Sequence, residues 1–139
     1  MKTFVEGTPK AQPRHRTTKD GHVFTPDSAE GWRQRIAAAL VPVRPPEPHL
    51  GPVHLACSFV FERPRKHFRA NGDIKDRFHD DRHIQKPDLD NLVKSLKDEM
   101  QQMGIMRNDS QVWRLAAEKI WCGKGERPGL HLIVELEKS

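Results

Sequence analysis

Two short stretches of this 139-residue chain carry residue types that could do chemistry together. The first is Lys86-Pro87-Asp88-Leu89-Asp90-Asn91-Leu92-Val93-Lys94, and the second is Asn108-Asp109-Ser110-Gln111. Asp88 and Asp90 stand two residues apart where a proline opens a predicted helix. Asp109 follows that helix, in the turn before a predicted strand. Carboxylates brought together repel one another unless positive charge sits between them. In a basic chain that points to a hard divalent cation bound through oxygen, and to a substrate that carries phosphate. Plainer roles exist for each residue. The helix dipole favours acidic residues in a first turn by about 0.3–1 kcal/mol. Asp90 and Lys94 have the spacing of a stabilising helical pair, and Asp109 suits a turn after Gly104. Asp109 can join the other two only if its strand end reaches the start of the helix, which spacing alone does not decide.

The formal net charge is +5, and its placement says more than its size. Residues 1–19 carry five Lys/Arg against one Glu, and residues 63–77 carry six against two Asp. Two basic segments beside an acidic cluster suggest a polyanion held over a metal site. The blander reading is that basic loops keep a small protein soluble. Lys10, Arg14 and Arg16 are the phosphate-contact candidates in the first segment, and Lys66 and Arg69 in the second. Phe68, flanked by cations, could stack on or wedge between bases, or simply anchor its loop.

Two other metal patterns fail. Asp88, Asp90 and Glu99 occupy positions 1, 3 and 12 of a calcium loop, but Leu92 and Val93 fall where an oxygen ligand and a glycine are required. His79 and His83 have i,i+4 spacing, yet Asp80 stands where a zincin needs glutamate. These two and His67 therefore read as solvated or phosphate-facing side chains. Trp32, Trp113 and Trp121 read as core or interface residues.

The elements that must position the carboxylates follow from periodicity. Lys2–Glu6 is a short strand. Lys19-Asp20-Gly21-His22 is a turn leading into Val23-Phe24-Thr25 as the return arm of a small hairpin. A helix starts at Pro26-Asp27-Ser28, with Asp27 or Ser28 as its cap, and its apolar face is Trp32, Ile36, Ala39 and Leu40. Five prolines between Pro42 and Pro52 make a linker. Val53–Phe61 alternates as a buried strand. Arg63–Gln85 is charged and aperiodic, and reads as a flexible basic loop over about 63–86. Pro87 then opens the helix carrying Leu89, Leu92, Val93, Leu96, Met100 and Met103, which Gly104 stops. Val112–Trp121 is a strand whose phase slips once, Lys124–Gly129 a hairpin loop, and Leu130–Leu136 the last strand. The expected fold is α/β of the α+β type: a small mixed β-sheet packed by two main helices, in a single domain over residues 1–139. Cys57 and Cys122 form no metal-binding pair and are expected as buried free thiols. No apolar run is long enough to span a membrane, and no signal-peptide core is visible. A cytoplasmic protein is expected.

The segment Lys86–Gln111 resembles the signature of the RusA-type Holliday-junction resolvases. The pattern of that family is Asp-x-Asp-Asn-x-x-Lys, then a helix, then an acidic pair with Ser/Ala-Gln-Val. Here it stands as Asp88-Leu89-Asp90-Asn91-Leu92-Val93-Lys94 and Asn108-Asp109-Ser110-Gln111-Val112. Pro9-Lys10-x-x-Pro13-Arg14-x-Arg16 is similar to the family's basic opening. One departure is Asn108, where the family often has a second acid. The resemblance implies that Asp88, Asp90 and Asp109 are the metal ligands, that Lys94 is an active-site cation, and that the reaction is Mg²⁺-dependent hydrolysis of phosphodiesters at a four-way DNA junction. Two matched cuts from a chain with one carboxylate cluster also imply a two-fold homodimer. The alternatives are a catalytically inactive junction-binding protein and another metal-dependent nucleic-acid phosphodiesterase.

Overall fold

The computed structural model describes residues 1–11 and 28–138. The expected hairpin through Lys19–Thr25, the candidate cap Asp27, and Arg14 and Arg16 lie outside the described residues. The elements are β1 (Lys2–Glu6), α1 (Ala29–Leu40), β2 (Val53–Phe61), α2 (Leu89–Gln102), β3 (Val112–Trp121) and β4 (Gly129–Leu136). The four strands form one sheet in the order β1-β4-β2-β3. β2 and β3 are parallel, because the chain between them crosses over through α2, whereas β4 runs antiparallel to both β1 and β2. The sheet is therefore mixed, as expected, and the two helices pack against it.

Ser28 caps α1 by accepting a hydrogen bond from Gly31 N at 3.0 Å. The helix buries Trp32, Ile36 and Leu40. α2 buries Leu92, Val93, Leu96 and Met100. Both stripes meet the inward side chains Leu55, Cys57, Phe59, Leu132 and Val134 in one core. Gly104, at φ +75°, ends α2 in a conformation that side chains with a Cβ rarely adopt. Gly129 is needed for a different reason. A Cβ there would lie 2.2 Å from Val5 O and 2.6 Å from the Phe4 ring, so only glycine lets β4 pair with β1.

The phase slip in β3 has a structural counterpart. Val53 pairs with Val112 but His54 pairs with Arg114, which leaves Trp113 as the extra residue of a bulge. Trp113 is consequently 60% exposed and not part of the core, unlike Trp32 and Trp121. Its indole N–H donates to Glu137 Oε1 at 2.8 Å. Both cysteines are buried and free. Burial pushes the Cys57 thiol up to about 12. It also pushes Cys122 up to about 11, with Glu126 and Glu62 adding to the effect. Among the described residues, no helix is long and apolar enough to cross a membrane.

Candidate active site

Asp88 occupies the N-cap of α2 with an extended backbone, and its carbonyl accepts the first helical bond from Leu92 N at 3.1 Å. An aspartate at that position ordinarily turns its carboxylate back onto the N–H groups of the first turn. The Asp88 side chain makes no such bond. Asp88, Asp90 and Lys94 are all exposed. Among the described residues, Asp90 and Lys94 do not form the ion pair their spacing suggested, and neither Asp88 nor Asp90 has a basic partner. The sequence places two carboxylates where capping and pairing could have consumed them, and the fold leaves both free.

What holds this end of α2 is a residue the sequence reading missed. Lys119 of β3 donates its ammonium to Gln85 O and, at 2.7 Å, to Pro87 O. It therefore grips the backbone immediately before Asp88 on both sides of the cis Lys86–Pro87 bond. Its register opposite Phe59 turns it inward from the strand. A lysine in the inward phase of a strand is the signal that could have identified it.

The loop between β2 and α2 is aperiodic, yet it is packed at its base. Arg63 has a side chain only 1% exposed. It donates to Cys122 O at 2.8 Å, to Phe78 O at 2.8 Å and to Asp81 Oδ1 at 2.8 Å, so its guanidinium ties both ends of the loop to the sheet. His67 and His83 are buried, which corrects their reading as solvated or phosphate-facing groups. His67 stacks on Phe78 with centroids 4.2 Å apart and meets the edge of Trp121, while His83 stacks on Phe61. Each imidazole packs as a ring within a small aromatic cluster. Burial lowers the pKa of both, and nearby cations add to it: Arg63 for His67 and Lys119 for His83. His79 alone stays exposed, 3.8 Å from Asp76.

Lys66 is exposed in a 3-10 turn over Arg65–His67. Phe68 is half-buried and bridges to Ile74, and Arg69 pairs with Asp76 at 3.4 Å. Arg65, Lys66 and Arg77 leave the loop exposed and cationic at the same end of the sheet as Asp88. Lys10 is half-buried near the end of the first described segment, after the buried Pro9.

Asp109 lies at the other end of α2. Its backbone N–H donates to Gln101 Oε1 at 3.2 Å, in the last turn of the helix. Asp88 begins that helix, about 20 Å away along the axis at 1.5 Å per residue. The turn is built with care. Asn108 accepts from Ser110 N at 2.9 Å, and Gln111 Oε1 accepts from Asn108 N at 2.7 Å, which together make a capping box. Gln111 Nε2 also donates to His49 O and Gly51 O at 2.8 and 2.9 Å. Asn108 and Gln111 thus position the turn, and the Asp109 carboxylate is left half-exposed beside them. Within one chain, Asp88 and Asp90 stand at the start of α2 and Asp109 beside its end.

Among the described residues, one group of three has its ligand atoms within 4.8 Å of one another: His54, Glu135 and Glu137. It lies across β2 and the end of β4, away from α2. His54 Nδ1 already contacts Glu135 Oε2 at 3.2 Å, and Glu137 accepts from Trp113. Residues 6–135 match the family described as Endodeoxyribonuclease RusA. No curated protein matched the sequence.

Proposed function

Because this chain belongs to the RusA endodeoxyribonuclease family, we propose that it cuts four-way DNA junctions by paired, Mg²⁺-dependent nicks made by a homodimer. The observation that carries this reading is the pair of uncommitted carboxylates at the start of α2, held in place through Lys119 and the backbone instead of through their own oxygens. Two exposed aspartates with open oxygens fit a hard cation that keeps water and phosphate in its remaining positions. Asp88, Asp90 and Asp109 would hold the ion, and when bound it supplies Lewis acidity toward the phosphate and toward a coordinated water. Lys94, one turn beyond Asp90 and free of it, would face the phosphate oxygens as charge builds on them. The water oxygen bonds to phosphorus as the bond to the leaving sugar oxygen breaks.

The place of Asp109 bears on the dimer. If each site needs all three carboxylates, a second copy must bring Asp109 to the Asp88 end, so each site is shared. A chain of this size then yields two equal sites related by a dyad, one for each opposing strand.

Two experiments test this. A synthetic four-way junction incubated with Mg²⁺ and read on a denaturing gel is expected to give symmetric cuts that linear duplex does not; an intact junction overturns the function. Mixing Asp90→Asn with Asp109→Asn protein is expected to restore nicking, because one of the two shared sites in the mixed dimer keeps every carboxylate. If each site lay within one chain, no mixed species would have an intact one.

A further inference from the structure

We propose that Ile84 is a wedge that enters between bases beside the scissile phosphate and holds the branch point of the junction open. The role presupposes the junction-cutting activity proposed above, and it assigns to one side chain the task of telling a branch from a linear duplex. Ile84 is 89% exposed, more than any other large apolar side chain among the described residues. A single apolar side chain in water is ordinary in itself. This one is set apart by how it is held and by where it stands.

The backbone is pinned on both sides of Ile84. Before it, Arg82 bridges to Ile120, and His83 N donates to Lys119 O at 3.1 Å. The buried His83 ring lies against Phe61 and Trp121, with centroids 4.2 and 4.3 Å away. After it, Gln85 O accepts from the Lys119 ammonium, which also holds Pro87 O. Lys119 thus fixes both flanks, one through its carbonyl and the other through its side chain. Isoleucine is itself stiff at χ1. A stiff apolar side chain on a pinned backbone loses little freedom when it enters a stack of bases.

Its place suits the task. Ile84 precedes Asp88 by four residues, which puts it at most about 14 Å away even on an extended chain. At a rise of about 3.4 Å per base along a strand, that reach covers about four bases from a phosphate held at Asp88 and Asp90. The exposed Lys86 lies between them as a cation for the same strand. Val41, Leu50 and Trp113, the other large apolar side chains more than half exposed, have no such tie to Asp88. Phe68, whose cationic neighbours suggested a wedge, is half-buried and bridged to Ile74. Apolar side chains inserted at a base step part the stack and kink the duplex. In linear duplex the insertion must break an intact step. Around an open four-way branch the innermost base pairs have already lost a neighbour on one face. Entry there costs less, which selects for shape without reading sequence.

The test uses a four-way junction with 2-aminopurine, which brightens when unstacked, placed between the branch and the cut. Asp90→Asn protein leaves the DNA whole, and its binding is expected to brighten the probe. The same protein carrying Ile84→Ser is expected to bind and to lose that brightening. Ile84→Ser alone is expected to cut the junction at least about ten-fold more slowly. It should keep its circular dichroism and its oligomeric state, and recover most of the rate on a junction already opened by mismatched pairs at the branch. Ile84→Leu is expected to cut like the unsubstituted protein. Full brightening with Ile84→Ser, or an equal loss of rate on the opened junction, overturns the wedge while junction cutting by the unsubstituted protein stands. A changed oligomeric state in light scattering makes Ile84 a contact between protein chains and overturns it as well. If the unsubstituted protein neither binds nor cuts the junction, the nuclease reading itself fails and the wedge falls with it.

Discussion

The two ends of α2 are built on different principles. At the Asp88 end, a half-buried lysine and a buried arginine hold the backbone, and a cluster of imidazole and aromatic rings supports the loop from below. At the Asp109 end there is no comparable cluster among the described residues, and an amide side chain does the work through four bonds to main-chain groups. In both, polar side chains are spent on the backbone, and the neighbouring carboxylate is left with its oxygens open. The candidate site residues are thus placed by side chains that bond to the backbone beside them. Charged anchors in a low-dielectric setting hold strongly but depend on their charge; neutral amide anchors do not.

If the two ends are halves of one site, removing any of the three carboxylates should be equally damaging. Asp88→Asn, Asp90→Asn and Asp109→Asn are each expected to lower the cleavage rate by about a thousand-fold or more, several kcal/mol of transition-state stabilisation. Junction affinity in gel shift should be unchanged or higher, because repulsion of the phosphates is reduced. Near-normal turnover by Asp109→Asn alone would make the ends unequal and leave the Asp88 end as the whole site.

The anchors should show the next largest effect. Lys119→Met and Gln111→Ala leave every carboxylate in place but free the backbone beside it. Misplacement of about 1 Å costs up to about a hundred-fold in rate, so kcat should fall by about 10–100-fold with little change in KM. Lys119→Arg should recover part of the loss. Equal losses in kcat and thermal stability, with no recovery by arginine, would make Lys119 a packing residue only.

Acid should separate the ends. His67 and His83 have pKa values lowered by burial from 6.5, so the unfolded chain binds protons that the folded one refuses. The stability they contribute is full above about pH 6.5 and is lost as pH falls below it. Hydrogen-exchange protection over residues 63–83 is expected to drop between pH 7 and pH 5 more than protection over residues 107–111. Uniform loss at both ends would show that the ring cluster does not gate the loop. The smallest effect concerns the first basic segment. Replacing Lys10, Arg14 and Arg16 together should flatten the log–log salt dependence of junction binding by up to about three, and an unchanged slope would turn that segment away from DNA.

Much of this molecule is written in periodicities that survive without tertiary context. Strand β2 has the bounds its alternation predicts, and the α2 stripe gives the helix and its glycine stop. The carboxylates at the start of α2 were readable because proline and aspartate mark a helix entry. What periodicity cannot carry is the fate of a polar side chain. Arg63, His67 and His83 lie in a charged, aperiodic run, and each is buried only because a ring or carbonyl from a distant strand meets it. The span from Asp88 to Asp109 was likewise illegible: helix length is local, but which end of β3 faces which end of α2 is decided by the crossover.

Cys57 and Cys122, the only two cysteines in the sequence, have a practical consequence. With thiol pKa values of about 12 and about 11, on the order of one molecule in ten thousand or fewer carries either as thiolate at pH 7. Maleimides and methanethiosulfonates react with thiolate. A cysteine introduced at an exposed position should therefore take a fluorophore or nitroxide while the native pair stays silent, so distance measurements across a bound junction can be made without first stripping the protein of its own sulfur.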